Sequence, residues 1–332
     1  MAKESFLVIG AGAWGTALSI RLAKNGLEVS LTSRDKENLS EIRKTKQNKK
    51  YLPGINIPES INIKDEILPS LANSSSVLLC VKSTGFKKIA ADLNNHMGPE
   101  QKLIWATKGL DPDTGETFSE TIKKEMPSLN KTAIISGPTF AEEVAKGKPT
   151  AITLASENIQ ELSGLASIMS SSLFRVYTSN DIVGVQLGGA FKNIIAIAAG
   201  ASDALSLGAN ARTALITRGL EEMKSIGVSF GAKPETFFGL SGLGDLVLTS
   251  TDNQSRNRRL GLLIGSGLSL DEAIEKLGTT PEGVHTVKAI YNKLALQEGL
   301  PIASAVYSIL FEGVPAESLV NKLMTRPIKE EF

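Results

Sequence analysis

Six residues near the start of the chain, Gly10-Ala11-Gly12-Ala13-Trp14-Gly15, carry the spacing G-x-G-x-x-G. Glycine at the first position permits a tight turn, and at the second it lets the backbone approach a pyrophosphate. At the third it lets a helix pack close to a strand. The pattern has force only between a strand and a helix, whose N-terminus then turns unpaired N–H groups and the positive end of its dipole toward the phosphates. The end of the next strand selects the nucleotide, because an NAD site places Asp or Glu there for the ribose 2′-hydroxyl. Here the residues are Leu31-Thr32-Ser33-Arg34-Asp35. Arg34 suits a 2′-phosphate and favours NADP or use of both cofactors. Asp35 reads as the N-cap of a following helix.

Other groups could carry proton transfer and anion binding. Lys108 follows a strand in Trp105-Ala106-Thr107-Lys108-Gly109-Leu110, at the carboxyl end where open α/β sheets bind ligands. A loop lysine in solvent is the alternative. Ser136-Gly137-Pro138-Thr139-Phe140-Ala141 can offer backbone N–H groups and the Thr139 hydroxyl, or can be a purely structural turn. Lys192 stands among Leu187-Gly188-Gly189-Ala190-Phe191 and Asn193, so it either snorkels to the surface or is held in a site. Beside another cation such as Lys108, a partly buried lysine would have the lowered pKa a general base needs. Asp245 lies in Ser241-Gly242-Leu243-Gly244-Asp245-Leu246, read as a flexible turn. Ser255-Arg256-Asn257-Arg258-Arg259 starts a helix with Ser255 as N-cap, either a phosphate site or an exposed basic face. Thr280-Pro281-Glu282-Gly283 opens a later helix.

The elements that must position these groups alternate in the first half. Phe6–Ile9, Glu28–Thr32, Val77–Val81, Leu103–Ala106, Ala133–Ile135, Ala151–Leu154 and Phe174–Tyr177 read as strands, with helices between most of them. Continuous apolar strands of this kind imply a mostly parallel, doubly wound sheet covered on both faces. Beyond about residue 180 the pattern is helical: Asp181–Leu207, Arg212–Ile226, Arg256–Ile264, Asp271–Leu277, Val284–Gln297, Ala303–Phe311 and Ala316–Leu323. The expected division is a dinucleotide-binding domain over 1–184 and an all-α domain over 185–332. The basic run Arg43–Lys50 reads as a solvated loop, with attraction of a cofactor phosphate as the alternative.

Composition excludes several classes. The chain has 332 residues and a formal net charge of +1, so it lacks a global electrostatic footprint for nucleic acid, and any anion must be held locally. The single cysteine, Cys80, rules out an intrachain disulfide and reads as a small buried strand residue. The two histidines, His96 and His285, form no zinc-ligand pattern with it, so no metal site is expected. Acid–base work is left to Lys, Asp or Glu. The N-terminus does not read as a signal, and the chain is expected to be cytoplasmic, with no membrane insertion and no nucleic-acid partner.

In order along the chain, several segments resemble the NAD(P)-dependent glycerol-3-phosphate dehydrogenases of the bacterial type. They are Gly10–Ala17, Tyr51-Leu52-Pro53-Gly54, Ala106–Gly109, Ser136-Gly137-Pro138, Gly188–Asn193, Gly242–Asp245, Ser255–Arg258 and Glu282-Gly283. The resemblance implies a Rossmann domain followed by an all-α domain like the C-terminal domain of 6-phosphogluconate dehydrogenase. It also implies NADPH- or NADH-dependent reduction of dihydroxyacetone phosphate to sn-glycerol 3-phosphate for phospholipid synthesis, with Lys192 as proton acceptor in the oxidative direction. Substrate would be held by Lys108, Gly137, Thr139, Lys192, Asp245, Ser255, Arg256 and Asn257. Cofactor would be held by Gly10, Gly12, Trp14, Gly15, Arg34, Tyr51, Lys108, Ala141, Arg256, Thr280 and Glu282. Ala13 stands where many relatives have Ser, and Thr280 where an aliphatic residue is common. A homodimer is expected. The competing readings are a related lysine-dependent hydroxyacid dehydrogenase and a non-catalytic NAD(P)-binding sensor.

Overall fold

The computed structural model describes residues 4–294, 300–318, 320, 325 and 330, with the backbone alone at 161–163 and 294. Contacts divide the chain into two units. One comprises 1–111 and 116–186, the other 112–115 and 187–332.

The first unit is built on ten strands: β1 (Ser5–Ile9), β2 (Glu28–Thr32), β3 (Gln47–Asn48), β4 (Leu52–Asn56), β5 (Ile61–Ile63), β6 (Ser76–Leu79), β7 (Lys102–Trp105), β8 (Thr132–Ser136), β9 (Thr150–Ala155) and β10 (Phe174–Ser179). Eight of them form one sheet in the order β10-β9-β8-β7-β6-β1-β2-β5. Only the β8–β9 pair is antiparallel. Its helices are α1 (Ala13–Lys24), α2 (Lys36–Thr45), α3 (Leu68–Leu71), α4 (Ser83–Asn94), α5 (Phe118–Glu125), α6 (Ala141–Lys146) and α7 (Ile159–Met169).

Side chains of β1 alternate between two cores. Phe6 and Val8 join one with Leu18, Leu22 and Leu39, while Leu7 and Ile9 join the other with Phe86, Leu93 and Phe118. Burial on both faces explains why the strand sequences are apolar without polar alternation. From β1 the chain lays β2 on one side and later β6 on the other, so the carboxyl ends of β1 and β6 form the topological switch point where ligands bind in such sheets.

Three short strands were not expected. Arg43–Lys50 is not a solvated loop: Arg43, Lys44 and Thr45 end α2, and Lys46 turns the chain through a left-handed conformation at φ 54°. Gln47 and Asn48 then pair with β4. Run composition concealed this because the surrounding lysines do face solvent, while Asn48 is fully buried.

The second unit has no strand among its described residues. It contains most of α8 (Ile182–Ala204), then α9 (Gly208–Ser229), α10 (Asp245–Thr251), α11 (Arg256–Gly265), α12 (Leu270–Leu277), α13 (Glu282–Leu294) and α14 (Pro301–Phe311). α8 is long and apolar enough to cross a membrane, yet 89% of its most apolar window is buried inside the protein. Its glycines permit very close helix packing: a Cβ on Gly200 would lie 2.1 Å from the Arg258 carbonyl oxygen. Buried Glu222, unremarkable in the sequence, accepts hydrogen bonds from the N–H groups of Ile302 (2.7 Å) and Ala303 (3.1 Å). Its carboxylate thereby caps α14 at the positive end of the helix dipole. Residues 295–297 of the expected helix 284–297, and 319 and 321–323 of the expected helix 316–323, lie outside the described residues.

Candidate active site

The three glycines of the first turn have three separate reasons. Gly10 sits at φ +119°, donates to the Thr32 carbonyl at 2.8 Å, and passes so near the residue after β6 that a Cβ would lie 2.4 Å from the Cys80 oxygen. A Cβ on Gly15 would lie 1.9 Å from the Gly10 oxygen, which brings α1 hard against the turn. Gly12, the N-cap of α1, has nothing within 4 Å of its would-be Cβ. The space before the helix N-terminus is open, as the close approach of a pyrophosphate requires. Beside it the Trp14 indole Nε1 is buried with no hydrogen-bond partner. An orphaned donor next to an open cradle fits a dinucleotide with acceptor groups. Cys80 follows β6 rather than lying within it and is half-buried, and desolvation raises its thiol pKa.

Arg34, after β2, is exposed, and its guanidinium lies 3.5 Å from the position a Cβ would take on Gly85 in the first turn of α4. It therefore reaches across the ends of β1 and β6. Asp35 caps α2 by accepting from the Asn38 N–H at 3.0 Å, as expected, and also accepts from Lys50 Nζ at 2.7 Å. Those two bonds hold its carboxyl below the ordinary range. Tyr51 is exposed, with the Lys50 ammonium 5.3 Å from its ring centre.

At the ends of β7 and β8, Lys108 Nζ donates to the Gly137 carbonyl at 2.9 Å, and the Thr139 hydroxyl donates to the same oxygen at 3.2 Å. Gly137 adopts φ +141°, a conformation side chains other than glycine rarely take. Ala141 is the first residue of α6.

In the second unit Lys192 is buried on α8, and its Nζ donates to Asp245 Oδ1 and, at 2.9 Å, to the Thr249 hydroxyl. The Asp245 side chain is 1% exposed. Asp245 does not lie in a flexible turn. Leu240–Gly244 form a single π-helical turn that feeds directly into α10, so the carboxylate is fixed on the first turn of a helix. Within this unit the lysine therefore meets a carboxylate and a hydroxyl carried by one neighbouring helix. Thr249 was missed, although its i, i+4 spacing from Asp245 places both on one face of α10.

Ser255 caps α11 by accepting from the Arg258 N–H at 3.2 Å, and Arg256 is exposed at its first position. Arg258 is spent internally, with the Asp203 carboxylate 2.5 Å away and the Ser250 carbonyl at 3.2 Å. Asn257 donates to Asn193 Oδ1 and accepts from the Gly283 N–H, both at 2.9 Å, tying α11 to α8 and to the start of α13. Thr280 and Glu282 flank that start and are half-buried. Asn193 was missed as a site-building residue because it reads as one polar residue in an apolar helix.

A glycine-rich turn at the switch point of a parallel sheet, followed by a helical unit holding a buried lysine, defines a nicotinamide-dependent dehydrogenase of the Rossmann class. Two family profiles match, described as NAD-dependent glycerol-3-phosphate dehydrogenase N-terminus over residues 5–162 and C-terminus over 181–321. The chain belongs to the NAD-dependent glycerol-3-phosphate dehydrogenase family. It is 43% identical to glycerol-3-phosphate dehydrogenase [NAD(P)+] of Pasteurella multocida (strain Pm70), covering 100% of this chain and 99% of that one. The corresponding protein of Shigella boydii serotype 18 is 44% identical over 99% and 98% of the two chains. The crystal structure of glycerol-3-phosphate dehydrogenase from Coxiella burnetii superposes with a TM-score of 0.92 at 39% identity, covering 98% of this chain and 99% of that chain. The chain is accordingly an NAD(P)-dependent oxidoreductase.

Proposed function

We propose that the chain reduces dihydroxyacetone phosphate to sn-glycerol 3-phosphate with NADPH or NADH, reversibly, in the cytoplasm and as a homodimer, supplying the backbone of glycerophospholipids. Residues 1–184 form the cofactor domain and 185–332 the substrate and catalytic domain. The observation that carries the reading is the buried Lys192, held by Asp245 and Thr249 on a neighbouring helix.

Gly10, Gly12 and Gly15 shape the pyrophosphate cradle, and Trp14, Arg34, Tyr51, Lys108, Ala141, Arg256, Thr280 and Glu282 complete the cofactor contacts. Bound cofactor supplies the hydride for the carbonyl carbon. Lys192 gives a proton to the oxygen that becomes the hydroxyl, and takes it back in the oxidative direction. Asp245 and Thr249 hold the amine in one orientation throughout. Lys108 opposes negative charge growing on the carbonyl oxygen. The phosphate is taken by the α11 N-terminus, where the Arg256 guanidinium adds to backbone donors of the first turn and Ser255 and Asn257 fix the helix start. Gly137 and Thr139 position the remaining hydroxyl.

Turnover with dihydroxyacetone phosphate and each reduced cofactor tests the assignment. Lys192→Ala lowers kcat by about a hundredfold or more, while the Kd for NADPH stays close to wild type. Near-wild-type turnover removes Lys192 from the mechanism, and cofactor binding without oxidation of the reduced cofactor removes the reaction.

A further inference from the structure

The corner beyond β2 holds a contradiction for a 2′-phosphorylated cofactor. Arg34 favours the extra phosphate, yet the next residue is an aspartate, which would repel a dianion and instead favour a free ribose hydroxyl. The structure shows what becomes of that acid. One oxygen of Asp35 accepts the Asn38 N–H at 3.0 Å, and the other accepts Lys50 Nζ at 2.7 Å.

Lys50 comes from a different element, the turn between β3 and β4. That turn is fastened to the glycine-rich loop by Asn48, which is wholly buried. The Asn48 amide donates to the Ala11 carbonyl at 2.9 Å and to the Thr16 hydroxyl at 2.8 Å, and its oxygen accepts the Tyr51 N–H at 3.3 Å. A two-residue strand in a basic run is thus locked to the one loop that a dinucleotide must approach. Mutual hydrogen bonding raises the Lys50 ammonium pKa and lowers that of the Asp35 carboxyl, so both stay ionised across the neutral range.

We infer that Lys50 is a specificity-determining residue: by occupying Asp35 it cancels the charge that would reject a 2′-phosphate, and leaves Arg34 to recognise it. Asn48 is the positioning residue that holds Lys50 in reach. The inference rests on the reading that Arg34 faces the adenosine ribose.

Calorimetric titration of the full-length protein with 2′,5′-ADP and with ADP, at low ionic strength and without substrate, separates the two ideas. The wild type prefers 2′,5′-ADP. Lys50→Ala weakens 2′,5′-ADP about tenfold, the scale of uncovering one unit charge beside a dianion at a screened surface, and leaves ADP nearly unchanged. Lys50→Ala combined with Asp35→Asn restores most of the loss, because the asparagine still caps α2 but carries no charge. If Lys50→Ala leaves the preference intact, weakens both ligands equally, or is not rescued by Asp35→Asn, the role of Lys50 is refuted while Arg34 stands. If the wild type shows no preference, or Arg34→Ala does not reduce it, the Arg34 reading falls and this inference falls with it.

Discussion

Removing Asp245 takes away the carboxylate paired with the Lys192 ammonium, which is 7% exposed and also donates to the Thr249 hydroxyl. An uncompensated buried charge of this kind costs about 3–5 kcal/mol. Lys192→Met removes the cation paired with the Asp245 carboxylate, itself 1% exposed, and costs a similar amount. Removing both charges together is different: Lys192→Met with Asp245→Ala leaves an apolar side chain and a small void, worth about 1–2 kcal/mol. The double variant is therefore expected to be more stable than either single one, with a coupling of at least about 4 kcal/mol. It is also expected to be inactive. Urea unfolding followed at 222 nm reads the helices of both units. Tryptophan fluorescence reads the first unit alone, because Trp14 and Trp105 both belong to it. If the double variant loses as much stability as the two single variants summed, the pair is not coupled. If Asp245→Ala is as stable as wild type, the amine is not held there as a buried charge.

The glycine turn provides a contrast between two small substitutions. Gly12→Ala, with open space before it, should leave the fluorescence unfolding midpoint near wild type yet weaken NADPH binding at least tenfold, whereas Gly15→Ala should lower both because its Cβ meets the Gly10 carbonyl. Lys46→Gly should stabilise the first unit by about 0.5–1 kcal/mol in urea unfolding, since Lys46 holds φ 54° at the end of α2. For Glu4, burial works to raise the carboxyl pKa, but hydrogen bonds from Lys102 (2.8 Å) and Ser76 (2.6 Å) outweigh it and leave the group below its ordinary value. Its stabilisation is complete above the unfolded value near 4.3 and is lost as pH falls through the lower folded value. Glu4→Gln should accordingly cost about 1 kcal/mol at pH 7, and the difference from wild type should vanish as pH falls through the lowered folded value, in unfolding measured across the acid range.

The sequence by itself determined the elements that depend on local patterning. Phe6–Ile9 is apolar at every position because both faces of β1 are covered, and Gly10, Gly12 and Gly15 announce their turn because few other residues could make it. Asp35 and Ser255 were legible as caps for the same reason, since a cap is satisfied within three residues of itself. What only the tertiary structure decided depends on partners far apart along the chain. Lys192 reads equally as a surface lysine or a site lysine until Asp245 and Thr249 are brought to it on α10. Asn48 looks like one more polar residue in a basic run until its amide meets Ala11 and Thr16. Lys50 looks like any solvated cation until it reaches Asp35. Long-range hydrogen bonds and ion pairs such as these have no sequence period of their own, and their meaning is fixed only once the chain has closed around them.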